Sequence, residues 1–443
     1  MSAIYSIFEY KFVAPNMRLF SFLKKEFVKN VLTLLTGSAF SQLIVYGAIL
    51  ILTRLFSEEV FGVYMLFSST ILILKPIASL QYELAIVLPK RDKDAINLFA
   101  FSIFIIFFFS LFLLGILILY THEIVSFLKI QELSYFIYFV PLSVFFFGTV
   151  SVFDYWNNRT TLFKNISKGL IVKTSTMSIT QIFSGFSSFS SVGLIPGLLV
   201  GQFFQLVVLI KLSLTSISNV LQHISIKRMW LLAKRYKDIP LFNTIISLTN
   251  NASNELPIFL ITSYFGLGSA GMYGLAIKFA RSPFGIVKQS VYQVFYNKAT
   301  KIYNNNEDLH GLIKVTAKNL LRISVFLFIP ILIVSFYLDI LFGENWSEVG
   351  VYVRILIPWL LMAFLSYPLT SLILILNKQK TILFYDSLLL VFRFLAFYMG
   401  YTFYNDLIIS LILFSGVGVI FNLFIFLYLF KISKEKKSAS YYH

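Results

Sequence analysis

Residues 98–120 form a run of 23 without a charge or an amide, and residues 407–430 a run of 24 in which Asn422 is the only amide. Each exceeds the roughly 20 residues that an α-helix needs to cross the hydrocarbon of a bilayer. Lipid offers the backbone no water, so a spanning segment must bond its own N–H and C=O groups. The two-residue alternation of a barrel strand is absent, which leaves helices. Composition agrees, because only 13% of the 443 residues are charged, against about 25% in soluble domains. The sequence is that of an all-α membrane protein.

Apolar runs separated by polar breaks predict about 12 transmembrane helices, at residues 31–53, 60–81, 96–120, 134–153, 169–186, 194–214, 240–264, 270–296, 315–338, 351–376, 382–401 and 407–430. Lysine and arginine in short connections orient such helices, because basic loops stay in the cytoplasm. One alternating set of segments holds 25 basic residues, while the other holds only Arg54 and Lys129. Both termini of this multi-pass membrane protein are therefore expected in the cytoplasm. The net charge of +17 is mostly this signal facing anionic lipid. It does not indicate nucleic acid, since no basic and aromatic soluble module is present. No signal peptide is expected, and Met17 offers an alternative start.

The basic stretch with Lys227, Arg228, Lys234, Arg235 and Lys237 divides the spans into two sets of six. The expected organisation is a cytoplasmic amphipathic N-terminal segment over 1–30, a bundle over 31–214, a basic cytoplasmic linker over 215–239, a second bundle over 240–430 and a basic tail over 431–443. Phe20, Phe22, Lys24, Lys25, Phe27 and Lys29 suit a helix lying on the membrane surface. An internal echo supports the division. At an offset of 209 residues, Thr53, Phe56, Gly62, Tyr64 and Leu66 meet Thr262, Phe265, Gly271, Tyr273 and Leu275. The offset pairs helices of like orientation and so implies a parallel repeat. A third Gly-x-Tyr at Gly350 and Tyr352 leaves a second explanation open, a preference of tyrosine for the interface.

Three blocks resemble a known family. The first has TRLFS at 53–57, then Gly62-x-Tyr64, then YELAIVLP at 82–89 followed by a charged cluster and Asp94-Ala95. The second has PIFLITSYFG at 257–266, GMYGLA at 271–276, Pro283 and KQSVYQVF at 288–295, and the third is FGENWSEVGVY at 342–352. Together they resemble the polysaccharide biosynthesis protein family, the Wzx-type lipid-linked oligosaccharide flippases of the multidrug/oligosaccharidyl-lipid/polysaccharide exporter superfamily. The resemblance implies two six-helix bundles in a V-shaped exporter-type fold that works by alternating access. It also implies a cargo, undecaprenyl-pyrophosphate-linked oligosaccharide repeats carried to the periplasmic leaflet for O-antigen or capsule synthesis. Membrane lipids, glycan polymerases as partners and a monomeric state are further expectations.

Against that background the intramembrane charges are the candidate site. Lys278, Arg281 and Arg393 lie mid-span, where each charge costs about 2.5–3.5 kcal/mol on insertion scales and so calls for a wet cavity or a partner. Lys278, Arg281, Gly285 and Lys288 recur at helical spacing on one face. Such a stripe suits a pyrophosphate, which guanidinium binds through two parallel hydrogen bonds. Glu255 shares its span with Asn243, Ser247, Asn250, Asn251 and Asn254, a polar face expected to line the cavity. It is either the ion-coupling residue, with proton or sodium as the ion, or the structural partner of Lys278 or Arg281. Gln42, with Ser38 and Tyr46 at four-residue spacing, is expected to face the cavity from the first span.

The remaining charges have simpler readings. Lys173, Lys211, Lys318, Arg322 and Arg354 lie close enough to helix ends to snorkel, and Lys75, just before Pro76, either meets the cavity through a kink or reaches the cytoplasmic headgroups. Glu83, Asp154, Asp339 and Asp386 are read as helix-end acids. Arg54 beside Glu58 and Glu59 is expected at an outer gate or in loop pairs, and Tyr82 and Glu83 are expected to open an amphipathic cytoplasmic segment with Lys90, Arg91 and Lys93 that either receives the headgroup or rests on anionic lipid. With no cysteine and four scattered histidines, His122, His223, His310 and His443, no metal site or cofactor is expected. Short external connections and the lack of a nucleophile, paired-carboxylate or phosphate-loop motif argue against an enzyme. A related exporter of small cations would favour acidic cavity residues, and a flippase of a peptidoglycan or teichoic-acid precursor would share the same chemistry.

Overall fold

A computed structural model describes residues 20–128, 136–187, 193–305, 307–376 and 378–434, and every regular element among them is helical. The first six long helices are α1 (Phe20–Leu55), α2 (Glu58–Ser79), α3 (Asp92–Leu128), α4 (Val140–Arg159), α5 (Phe163–Gly185) and α6 (Leu194–Leu221). A short helix, α7 (Ile226–Arg235), leads to α8 (Ile245–Phe265), α9 (Leu267–Asn304), α10 (Leu309–Val334), α11 (Ser347–Ser366), α12 (Gln379–Met399) and α13 (Leu407–Ile432). Each predicted span thus has its helix. Nine of the described helices are long and apolar enough to cross a membrane on their own composition, and α5, α8 and α9 are not among them. Those three carry Lys173, Glu255 and the Lys278/Arg281 pair.

Local chemistry fixes many boundaries. Glu58 and Glu59 open α2 after an extended Ser57, which places negative charge at the positive end of the helix dipole. Asp308 caps α10 by accepting from the Gly311 N–H at 2.9 Å, and Asp406 caps α13 through the Ile409 N–H at 3.1 Å. Between α8 and α9 the chain turns on Gly266, whose φ of 90° is open to glycine.

Several boundaries differ from expectation. α3 extends past 120 to Leu128 with a break at Tyr120. α4 begins at Val140, after a tight turn over Ile137–Phe139, and ends at Arg159. No separate surface helix occurs at Phe20–Lys29, because this segment is the start of α1, a continuous helix of 36 residues. Residues 1–19 and 435–443 lie outside the described residues.

The largest core cluster joins both sets of helices, from Val45, Phe61 and Phe67 in α1 and α2 to Tyr273, Ala276 and Phe284 in α9 and Trp359 in α11. The seam within it is α2 against α9, and glycine permits it. A Cβ on Gly62 would lie 2.0 Å from the Leu267 carbonyl oxygen, and one on Gly271 would lie 2.0 Å from that of Glu58. The two echoed Gly-x-Tyr segments therefore pack reciprocally on each other. Tyr64, Tyr273 and Tyr352 are buried, so a preference for the membrane interface does not account for them. At this end, the far end from α7 and the described termini, the Arg54 guanidinium donates to the Ile340 carbonyl at 3.0 Å. The Trp346 indole donates to the Thr53 carbonyl at 3.0 Å and meets Phe61 edge-on.

Candidate functional site

The polar face of α8 divides in two. Glu255 and Asn251, four residues apart, turn toward α2. There the Ser69 hydroxyl donates to Glu255 Oε2 at 2.6 Å and Asn251 Nδ2 donates to the Leu72 carbonyl at 2.8 Å. Asn254 and Asn250, again four apart, lie together, with Asn254 Nδ2 donating to the Asn250 carbonyl and Oδ1 at 2.9 and 3.0 Å. Asn254 Oδ1 in turn accepts from the Arg281 guanidinium at 3.2 Å. Asn243 is half-buried in the π-helical turn Ile239–Thr244 that leads into α8. From α1, Gln42 accepts from the Ser282 hydroxyl, and the Tyr46 hydroxyl donates to the Phe279 carbonyl at 3.2 Å. Every one of these bonds except those within the Asn254 group crosses from the first six helices to the last six.

The cations gather at the same level. Lys278 Nζ lies 5.7 Å from the centroid of Tyr64. Arg281 and Arg393 share one indole, their guanidinium carbons 5.0 and 4.4 Å from the Trp359 centroid. Arg393 is 2% exposed, donates to the Ser253 carbonyl and hydroxyl at 3.3 and 3.0 Å, and leaves its buried Nε without a partner. The buried Tyr273 hydroxyl also lacks a hydrogen bond while sitting in the field of Arg281, Glu255 and Arg393. Two guanidinium groups on one ring, with no carboxylate within salt-bridge distance of either among the described residues, form an anion-attracting centre. Lys288 lies further along α9, and its side chain is outside the described residues.

Four expectations are corrected. Glu255 makes no ion pair with Lys278 or Arg281 among the described residues, its partner being the neutral Ser69. Lys75 and Lys173 do not run out to the interface: their ammonium nitrogens lie 4.4 and 5.4 Å from the centroid of one ring, Phe147. Asp154 and Asp386 are not exposed helix-end acids. Asp386 is 5% exposed and accepts from Asn250, and Asp154 has a fully buried, unpartnered Oδ1. Tyr82 and Glu83 open a buried turn, Tyr82–Val87, with the Tyr82 hydroxyl donating to Ala233 of α7 at 3.1 Å. Burial there pushes the Glu83 carboxyl above its ordinary value, with the Ser79 hydroxyl, its own backbone and Lys75 pulling the other way.

Charge at the α7 end is organised by pairs. Arg228 of α7 binds Asp94 at 2.7 Å, and Arg159 binds Asp92 at 2.8 Å while also donating to the Ile86 and Pro89 carbonyls. α7 itself is strongly two-faced: Leu232 and Ala233 are buried, whereas Ile226 and Trp230 are exposed.

Comparison with known proteins places this geometry. Residues 51–350 match the family described as polysaccharide biosynthesis protein. No curated protein sequence matches the chain. Among solved structures, an inward-facing multidrug resistance MATE family transporter of the MOP superfamily superposes with a TM-score of 0.66 at 12% identity, over 92% of this chain and 100% of the other. The lipid II flippase MurJ, in an inward closed conformation, gives 0.66 at 14% identity over 90% of each chain. A MOP superfamily transporter from Pyrococcus furiosus with a binding pocket of reverse polarity gives 0.60 at 12% identity, over 93% and 97%. At such identities the likeness is one of fold, that of two six-helix bundles.

Proposed function

The chain belongs to the polysaccharide biosynthesis protein family, and from that premise we propose that it is a flippase for undecaprenyl-pyrophosphate-linked oligosaccharide repeats. In this reading the α7 end faces the cytoplasm, as the distribution of lysine and arginine requires, and the protein sits in the inner membrane with both termini inside. The repeat is carried to the periplasmic leaflet by alternating access, for O-antigen or capsule assembly by glycan polymerases. The observation that carries this proposal is the Arg281–Trp359–Arg393 group beside Lys278, which holds three cations, none of them salt-bridged among the described residues, at the junction of the two halves. A diphosphate is the ligand that neutralises them, since guanidinium matches phosphate oxygens in geometry as well as charge.

The fold alone is shared by multidrug transporters and a lipid II flippase, so the sign of the site is what discriminates. A drug cation would be repelled by this centre. A peptidoglycan or teichoic-acid precursor presents the same headgroup, and the polysaccharide family supports the glycan repeat over it. Glu255, held to Ser69 across the seam, is the residue to which proton or sodium coupling is assigned. Its protonation would weaken a bond that ties the halves.

The test is Arg281→Ala in cells. Surface glycan should be lost and lipid-linked repeat should accumulate on the cytoplasmic leaflet, with Arg281→Lys retaining part of the export. Normal export from an Arg281→Ala protein made at wild-type level would remove the headgroup site from this centre.

A further inference from the structure

A second cluster of charge lies in the first bundle, apart from the Trp359 centre. Lys75 of α2 and Lys173 of α5 point at Phe147 of α4 from 4.4 and 5.4 Å. Glu83 of the Tyr82–Val87 turn and Asp154 of α4 lie within electrostatic reach of Lys75, and Asp154 also within reach of Lys173. Among the described residues none of the four is in a salt bridge. Glu83 Oε2 and Asp154 Oδ1 are both buried without a hydrogen-bond partner. Other groups in the field are Tyr155 of α4 and Lys278 of α9. The acids of α3, Asp92 and Asp94, are already taken by Arg159 and Arg228.

An arrangement of two amines and two carboxylates that attract without contact is poised to exchange partners. A buried charge is costly unless it is compensated. With both amines and both carboxylates ionised the cluster sums to zero, the carboxylates lying in the field of Lys75. The amines are the movable part, on long flexible stems and held only over a ring face. The carboxylate oxygens without partners have no bond to lose and are open to a proton. Because Lys173 also feels Lys278, the cluster is electrically continuous with the cationic stripe of α9.

We propose that this cluster is a charge-exchange site: a diphosphate headgroup draws Lys75 and Lys173 away from Glu83 and Asp154, and the released carboxylates take up protons. The inference rests on the flippase reading and adds a linkage to it. A diphosphate diester brings two negative charges, and up to two protons from water on the α7 side restore neutrality by forming O–H bonds at Glu83 Oε2 and Asp154 Oδ1. No bond breaks in the cargo. Binding then strengthens as pH falls, about tenfold per pH unit for each proton taken up.

The experiment uses the purified full chain in nanodiscs, with farnesyl diphospho-N-acetylglucosamine, a diphosphate diester, as the probe. Calorimetry in pairs of buffers of different ionisation enthalpy counts the protons taken up on binding. Infrared difference spectra follow the C=O band of protonated carboxyl groups in the wild-type protein, which needs no variant. Binding should be accompanied by growth of that band, and Asp154→Asn and Glu83→Gln should each bind at least as tightly as wild type, with a smaller proton count and a flatter pH dependence. Binding with no new carboxyl band, and with the same proton count in wild type and both variants, overturns the exchange while leaving the headgroup reading intact. Failure of the wild type to bind this diester at any pH sinks that reading, and this inference with it.

Discussion

The glycine seam allows a calculation. In Gly62→Ala the added Cβ would lie 2.0 Å from the Leu267 carbonyl oxygen, whereas real Cβ atoms essentially never come within 3.0 Å of a neighbour. The obstacle is backbone, so no side chain can swing aside and α2 and α9 must part by about 1 Å. Overpacking of this kind costs about 1–3 kcal/mol, which corresponds to a shift of roughly 5- to 150-fold in an equilibrium between two states. The penalty applies only while the seam is closed, so the variant should populate the parted state more heavily rather than unfold. Gly271→Ala strikes the mirror contact on Glu58 and should do the same. The double variant should cost less than the sum, because one parting relieves both clashes. The chain has no native cysteine, so a single Ala270→Cys, fully buried at the far end of α9, can report the seam. Its maleimide labelling in detergent, where the reagent reaches both faces, should accelerate at least fivefold on the Gly62→Ala background. A labelling rate within twofold of the parent, with unchanged thermal stability, would show that the seam does not part and would refute the reasoning.

Two further outcomes follow from buried charge. Arg393 carries an unpartnered Nε in an apolar setting with Asp386 in its field, and apolar replacement of both members of a buried charge pair is often neutral or stabilising by about 1–4 kcal/mol. The Arg393→Met/Asp386→Asn double variant should therefore melt no lower than wild type in detergent while exporting no glycan, and a markedly lower melting temperature would make Arg393 structural. Burial raises the Glu83 carboxyl above its ordinary value, so the folded state binds more protons than the unfolded one as pH rises from the ordinary glutamate range, and stability falls over that window. Glu83→Gln should flatten the decline of melting temperature as pH rises above the ordinary glutamate value of about 4.3, and an unchanged slope would contradict the assignment.

Much of this fold was legible in the sequence because lipid leaves so few choices. Uncharged runs such as 98–120 admit only a helix, and Lys278, Arg281 and Arg393 were recognisable from depth alone. What depth could not reveal was direction. Lys75 and Lys173 stand near enough to helix ends to snorkel, and an isolated helix in lipid would send them outward. In the bundle, Phe147 and two buried carboxylates offer a nearer destination. Asp386 was misjudged for the same reason, since residues a few positions from a helix end are still covered when neighbouring helices extend past them. For Glu255 the sequence leaves ion coupling and a cationic partner equally open, because a carboxylate suggests a charged neighbour. Its partner is a serine 186 positions away, and one hydroxyl among many leaves no trace in the sequence. The N-terminal aromatic and basic pattern suited a surface helix equally well as the first turns of a long one, and only continuity with Leu55 separates them.

The low apolarity of α5, α8 and α9 bears on how the chain is made. A helix leaving the ribosome is sorted between water and lipid by its own composition, and α9 with Lys278 and Arg281 near its middle carries a penalty of about 5–7 kcal/mol from those two residues alone. α8 brings a carboxylate and a row of asparagines. Neither is suited to leave the translocon alone. The turn at Gly266 makes them a hairpin, in which the Arg281–Asn254 bond can form before lipid is met and two poor spans can partition as one. α10, apolar enough to insert by itself, follows directly and can act as the anchor that draws them in. The charges proposed to hold the headgroup are thus the same ones that burden a lone α8 or α9 on its way into lipid, and a hairpin is the form in which they can enter together.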